Sequence, residues 1–149
     1  MEHVAEVGGV GVSVDEQGRG PPAVILEVQD AIVPVFVTRD QARSMQLALE
    51  GIPFERPLTH DLVVDMVTEL GGAIDRVRVD DVADGTFYAK IDVERYGEDE
   101  RTTHVFDARP SDAIALALRV DCPIVVSDAV IEAAGHDPDE IMFSDSDED

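Results

Sequence analysis

The chain has 149 residues, 44% of them hydrophobic, which suits one compact core and leaves little room for two. Asp and Glu number 33 against 11 Lys and Arg, a formal net charge of −22, so a broad basic surface of the kind that holds a polyanion is excluded. The longest apolar runs, residues 113–118 and 124–126, fall far short of the roughly 20 residues needed to cross a bilayer, so no transmembrane helix is expected.

Val10, Val12 and Val14 alternate along a first strand over residues 4–14, and the Gly and Pro cluster at 18–22 separates it from a second at 23–28. A third strand, 32–37, contains Pro34, which removes a ladder donor and predicts an edge or a bulge. Thr38 is expected to cap a helix whose apolar face is Ala42, Met45 and Leu49, with Gly51 as its stop. Thr59 is the expected N-cap of a second helix, with Leu62, Val63, Met66, Val67 and Leu70 on one face and Gly71 and Gly72 ending it.

Two alternating strands follow, with Val77 and Val79 inward on one and Phe87, Ala89, Ile91 and Val93 inward on the other; Ala83, Asp84 and Gly85 between them have hairpin chemistry. A short strand at 103–107 leads into a helix over about 111–120 that is apolar nearly all round and should be buried on more than one side. A strand at 124–126 and a helix capped by Ser127 and ending near Gly135 complete the body. Residues 136–149 hold seven acids and no Lys or Arg, so they read as an acidic, solvated and disordered tail behind a domain spanning 1–135. Paired strands with helices inserted between them predict an α+β fold, a mixed or antiparallel sheet with about four helices.

The opening Met1, Glu2, His3 shows no basic region followed by an apolar block, and the lone Cys122 cannot close an internal disulfide, so the expected compartment is the cytoplasm, with no membrane association. Lys90 is the only lysine among the cations. Such acidity fits either a surface for a protein partner or adaptation to concentrated salt; the second is favoured, because at about 1 M salt the Debye length falls to about 3 Å and self-repulsion is screened.

Two segments share a chemistry: Arg56, Pro57, Leu58, Thr59, His60, Asp61 and Arg109, Pro110, Ser111, Asp112. Each sets Arg and Pro before a hydroxyl residue and an acid at a helix start. Capping by Thr59 or Ser111, with Asp61 or Asp112 complementing the helix dipole, explains the hydroxyls and acids. It leaves the arginines unexplained, since a cation at a helix N-terminus is misplaced unless it meets a carboxylate or a bound anion. A helix N-terminus beside a guanidinium is a phosphate cradle. Pairing of Arg56 or Arg109 with Asp61, Asp107 or Asp112 stands equally open.

Of the four histidines only His60 sits in such a cluster, where an imidazole beside a carboxylate can act as general base or acid. An isolated His is more often a structural hydrogen-bonder. There is no HExxH, CxxC or DxDxDG metal signature, although Asp61, Asp65, Asp107 and Asp112 could hold a divalent cation such as Mg²⁺ through a few carboxylates and water. Phosphate-binding loops of the GxGxxG and GxxxxGK[ST] kinds are missing. Arg76 and Arg78 share a strand face opposite Lys90, Asp92 and Glu94, which favours cross-strand ion pairs over a basic patch. The seven aromatic residues show no stacking pattern for single strands, and Phe87 reads as core.

RPLTHDL at 56–62, DGTFYAKI at 84–91, FDARPSDAIALALR at 106–119 and CPIVVSDAVIE at 122–132 occur in this order and spacing. Together they resemble the bifunctional nuclease domain family over roughly residues 3–135. The resemblance implies an α+β fold, cleavage of RNA and DNA, and self-association into dimers or higher homo-oligomers. The family pattern tends to carry a Gly and a Glu-Ala pair where this chain has Thr38 and Asp40, Gln41. On this reading the partner is nucleic acid, His60, Asp61 and Asp112 form the catalytic group, and Arg56, Arg109, Ser111 and Thr59 bind phosphate. The rival is a non-enzymatic binding or regulatory module whose Arg-Pro turns are structural clamps and whose acidic surface meets a protein. Because an acidic surface repels a polyanion, nuclease activity here must rest on local Arg contacts or a bound cation. The acidity also yields a prediction: the unfolding midpoint should rise steeply as KCl is added towards molar concentration, and a midpoint indifferent to salt would rule out salt adaptation.

Overall fold

The computed structural model describes residues 1–13, 21–51 and 59–137. Seven strands, β1 (Glu2–Ser13), β2 (Pro22–Val28), β3 (Ala31–Phe36), β4 (Gly72–Ala83), β5 (Thr86–Tyr96), β6 (Arg101–Ala108) and β7 (Ile124–Ser127), form one sheet in the order β3-β2-β1-β7-β4-β5-β6. All neighbours are antiparallel except β4 and β7, which run parallel, so the sheet is mixed. Among the described residues there are four helices: α1 (Arg39–Glu50), α2 (Thr59–Glu69), α3 (Pro110–Val120) and α4 (Asp128–Ala134). The fold is α+β.

Local chemistry sets most of these boundaries. Pro34 lies on β3, an outer strand of the sheet, where a missing ladder donor is tolerated. The β4–β5 hairpin turns through Asp84 and Gly85, both at positive φ (53° and 78°), the conformation an Asp-Gly pair adopts most readily. Thr38 and Gln41 form a reciprocal capping box at the start of α1, and Gly51 ends that helix in the left-handed conformation. Ser127 caps α4, as expected from sequence.

The core lies between one face of the sheet and the helices. Leu26, Met45, Val77, Val79, Ile114 and Val126 are fully buried there. α3 buries Ala113 through Ala117 without interruption, and its small side chains let neighbouring elements approach from several sides. The expected faces of α1 and α2 need correction. Leu49 is exposed, and α2 turns Val63, Val64 and Val67 to the core while Leu62, Met66 and Leu70 face outward. The apolar arc of α2 is wider than the one side that the sheet can cover.

Strand alternation puts Arg76, Arg78, Lys90 and Asp92 on the other side of the sheet. Asp92 is almost wholly buried. Its carboxylate accepts from Arg78 Nη2 at 2.7 Å and Nε at 2.9 Å and from Arg76 Nε at 2.7 Å, while Arg76 also reaches Glu2 at 3.3 Å. Burial pushes the Asp92 pKa up, but the hydrogen bonds from Arg78 and Arg76 outweigh it and hold the group below the usual carboxylate range. These arginines are therefore spent on the fold. His136, expected at the start of the tail, forms a two-way backbone bridge with Ile32 at 2.8 and 2.9 Å; residues 138–149 lie outside the described residues.

Candidate active site

The start of α3 organises the site. Arg109, with extended backbone (φ −72°, ψ 145°), is the N-cap, and Pro110 occupies the first helical position, where its fixed φ suits the helix and its missing N–H removes no bond. Ser111 is therefore inside the helix and is not the cap expected from sequence. No side chain caps α3. The dipole complement is supplied instead by Asp112 in the first turn, and this carboxylate is shared. Its Oδ1 lies 2.9 Å from His60 Nε2, and its Oδ2 accepts from Arg109 Nε at 3.0 Å.

A carboxylate only accepts hydrogen bonds, so His60 Nε2 carries a hydrogen, and in the neutral ring this leaves Nδ1 as the acceptor; Nδ1 bonds to no described residue. The His60 side chain is 17% exposed and that of Arg109 is 72% exposed, so the pair spans a semi-buried base and a solvated cation. Partial burial raises the Asp112 pKa, but hydrogen bonds from His60 and Arg109 prevail and lower it overall.

Asp61 takes a different partner. Arg119, whose side chain is only 7% exposed, donates from Nε to Asp61 Oδ1 at 2.8 Å. The same guanidinium reaches the Ala115 carbonyl at 3.1 Å and Ser44 Oγ at 2.9 Å. One buried cation thus ties the first turn of α2 to α3 and α1, next to His60. Sequence reading gave Arg119 no role; the available signal was a lone cation near the end of a helix that is apolar nearly all round. Thr59 is exposed and is already the first helical residue of α2 instead of its cap. Arg56 lies outside the described residues. Among the described residues no three His, Cys, Asp or Glu side chains are grouped to hold a metal ion. Of the four suggested carboxylates, Asp112 and Asp61 are engaged by arginines, and Asp107 is exposed, 3.8 Å from Lys90.

Beside Arg109 lies a cleft of about 460 Å³, bounded by the end of β3, the cap of α1, the β4–β5 hairpin and the start of α3. Phe36, Thr38, Gln41, Thr86, Arg109 and Ser111 are among its walls. Phe36 and Thr86 were not singled out by sequence, and Thr38 and Gln41 were read only as a helix cap and as departures from the family pattern, because nothing along the chain shows that these three segments meet.

Comparison with known proteins places this architecture in a family. The bifunctional nuclease domain family matches residues 24–139, and the chain belongs to it. An uncharacterized protein of Mycobacterium tuberculosis is 36% identical over 133 residues, covering 89% of this chain and 77% of that protein. Bifunctional nuclease 1 of Oryza sativa subsp. indica is 29% identical over 108 residues, covering 70% of this chain and 32% of that protein. Bifunctional nuclease 2 of Arabidopsis thaliana is 30% identical over 108 residues with the same coverage. The chain therefore spans about a third of the length of these plant nucleases. Among the described residues no helix is long and apolar enough to cross a membrane.

The shared carboxylate sets a pH dependence. A depressed folded-state pKa contributes stability that is present above the unfolded value, about 3.9 for Asp, and is lost as pH falls through the folded one. The urea midpoint of wild type should therefore drop more steeply than that of Asp112→Asn below about pH 4. Superimposable acid limbs in the two proteins would show that Asp112 gains nothing from His60 and Arg109.

Proposed function

We infer that this domain hydrolyses phosphodiester bonds in RNA or DNA, with His60 as the proton-transfer group. The observation that carries this reading is that Asp112 holds His60 on one oxygen and Arg109 on the other at the uncapped start of α3. Asp112 orients the ring so that Nδ1 can take a proton from water. The resulting hydroxide attacks phosphorus, one P–O ester bond breaks, and the departing alkoxide receives a proton from the imidazolium or from solvent. A water nucleophile does not need a ribose 2′-hydroxyl, so one mechanism serves both nucleic acids. Arg109, largely solvated, stabilises charge on the phosphoryl oxygens. Asp61 acts at one remove, by holding the His60 turn through Arg119. Thr59, in the first turn of α2, would face the phosphate, and Arg56, three residues earlier in the sequence and outside the described residues, is given the same role from sequence alone.

The net charge of −22 works against a polyanion, so affinity must come from these local contacts, with Mg²⁺ entering on the phosphate where it is needed. The test is hydrolysis of short RNA and DNA oligonucleotides in molar KCl, with Mg²⁺ and with EDTA. His60→Ala should reduce turnover by about 10²- to 10⁴-fold. Equal cleavage by both proteins removes His60 from the mechanism, and no cleavage by wild type favours the binding-module reading.

Self-association rests on a separate observation. β6 is an outer strand whose ladder edge is unpaired among the described residues, and Val105 and Phe106 on it are exposed, Phe106 beside the outward-facing Leu70 that follows α2. An unpaired edge of eight residues that exposes Val105 and Phe106 fits pairing with a second copy. Light scattering in high KCl should give at least twice the monomer mass for wild type and the monomer mass for Val105→Lys; a monomeric wild type defeats this.

A further inference from the structure

The cleft beside Arg109 has a chemistry opposite to that of the protein around it. Asp and Glu make up 33 of 149 residues, yet none of the residues lining the cleft is acidic. The polar groups it presents are hydrogen-bond donors. Gln41 has its oxygen committed to the Thr38 N–H at 2.8 Å, which leaves its amide hydrogens. Thr38 Oγ1 already accepts from the Gln41 N–H at 3.1 Å, which leaves its hydroxyl hydrogen. Arg109 is a cation that lines the same space. The start of α3 adds backbone N–H groups that no side chain caps.

Ser111 is the group the fold leaves unexplained. It is 7% exposed and lines the cleft, yet its hydroxyl bonds to no described residue. The buried side-chain polar atom without a partner among the described residues is Asp80 Oδ1, so the Ser111 oxygen is open to the cleft, where water or a ligand at the uncapped helix start can satisfy it. Part of the lining is apolar. Phe36 is 51% exposed on the outer strand β3, and Phe87, taken from sequence to be core, is only partly buried and also lines the cleft. A volume of about 460 Å³ is within the range of sites for small organic ligands and suits one nucleotide.

The geometry points to a mononucleotide subsite, in which the phosphate sits at the start of α3 against Ser111 and Arg109 and the base lies on Phe36 and Phe87. This deepens the nuclease reading, on which its role in catalysis rests, by naming where the nucleotide next to the cleaved bond is held. Stacking on Phe36 is sequence-tolerant, because every base has a π face. The donors accept any phosphorylated ligand, so the aromatic wall is what separates a nucleotide from a sugar phosphate.

Titration calorimetry should be run at a KCl concentration at which circular dichroism shows wild type folded, with inorganic phosphate, ribose 5-phosphate and adenosine 5′-monophosphate as probes. Adenosine monophosphate should bind at least tenfold more tightly than the other two. Phe36→Ala should remove that advantage and leave phosphate binding as it was, and Ser111→Ala should weaken all three. Equal affinity for the three probes in wild type, or an unaltered preference in Phe36→Ala, overturns the base wall. Folded wild type that cleaves oligonucleotides but binds no adenosine monophosphate overturns the subsite and leaves the nuclease reading standing. Binding without any cleavage supports the subsite and counts against that reading.

Discussion

Burial of α3 is the constraint on which the rest of the structure depends. Its run from Ala113 to Ala117 has no exposed side, so the helix must be enclosed by the sheet and by neighbouring helices. Enclosure fixes both ends. At the start, Arg109 and Pro110 place the first helical N–H groups at the rim of a cleft without a side-chain cap; near the end, Arg119 is drawn inward and needs a carboxylate. Arg109 and Asp112 are therefore carried by the element that anchors the core, and His60 on α2 is held to it through Asp112, which is how a site is held within a narrow geometric tolerance.

Charge is handled in two distinct ways. On the sheet face carrying Arg76, Arg78 and Asp92, cations and carboxylates satisfy one another across strands, which supports folding and leaves little free for a ligand. Around α3 the pairing is incomplete. Arg109 meets Asp112 through Nε while most of its side chain stays in solvent, and His60 keeps one ring nitrogen unengaged by described residues. In a protein of net charge −22, none of the residues lining the cleft beside Arg109 is acidic.

Family membership and site geometry bear on different questions. The match over residues 24–139 establishes kinship with nuclease domains, and the plant relatives, matched over about a third of their length, lend their activity to this chain only as a proposal. The geometry supplies what kinship lacks: a specific imidazole–carboxylate–guanidinium group and a donor-rich cleft beside it, each open to substitution. A turn-level clamp with no turnover would use the same His60–Asp112 bond, and only the cleavage assay separates the two.

The sequence by itself determined the elements whose cause is local. Alternating valines, the Asp84-Gly85 turn, the Thr38 and Ser127 caps and the all-apolar 113–117 run each state their conformation within a few residues. It also brought forward His60, Asp112 and Arg109, because Arg-Pro before a helix start is a local anomaly. Tertiary structure alone decided the rest. The insertion of β7 between β1 and β4, the outward turn of Leu62 and Met66, the capture of Asp61 by Arg119, and the meeting of Phe36, Gln41, Thr86 and Ser111 around one cleft join segments dozens of residues apart. Periodicity and capping report what a residue does to its own turn of chain; which distant turn it then faces is set by the close packing of the whole core.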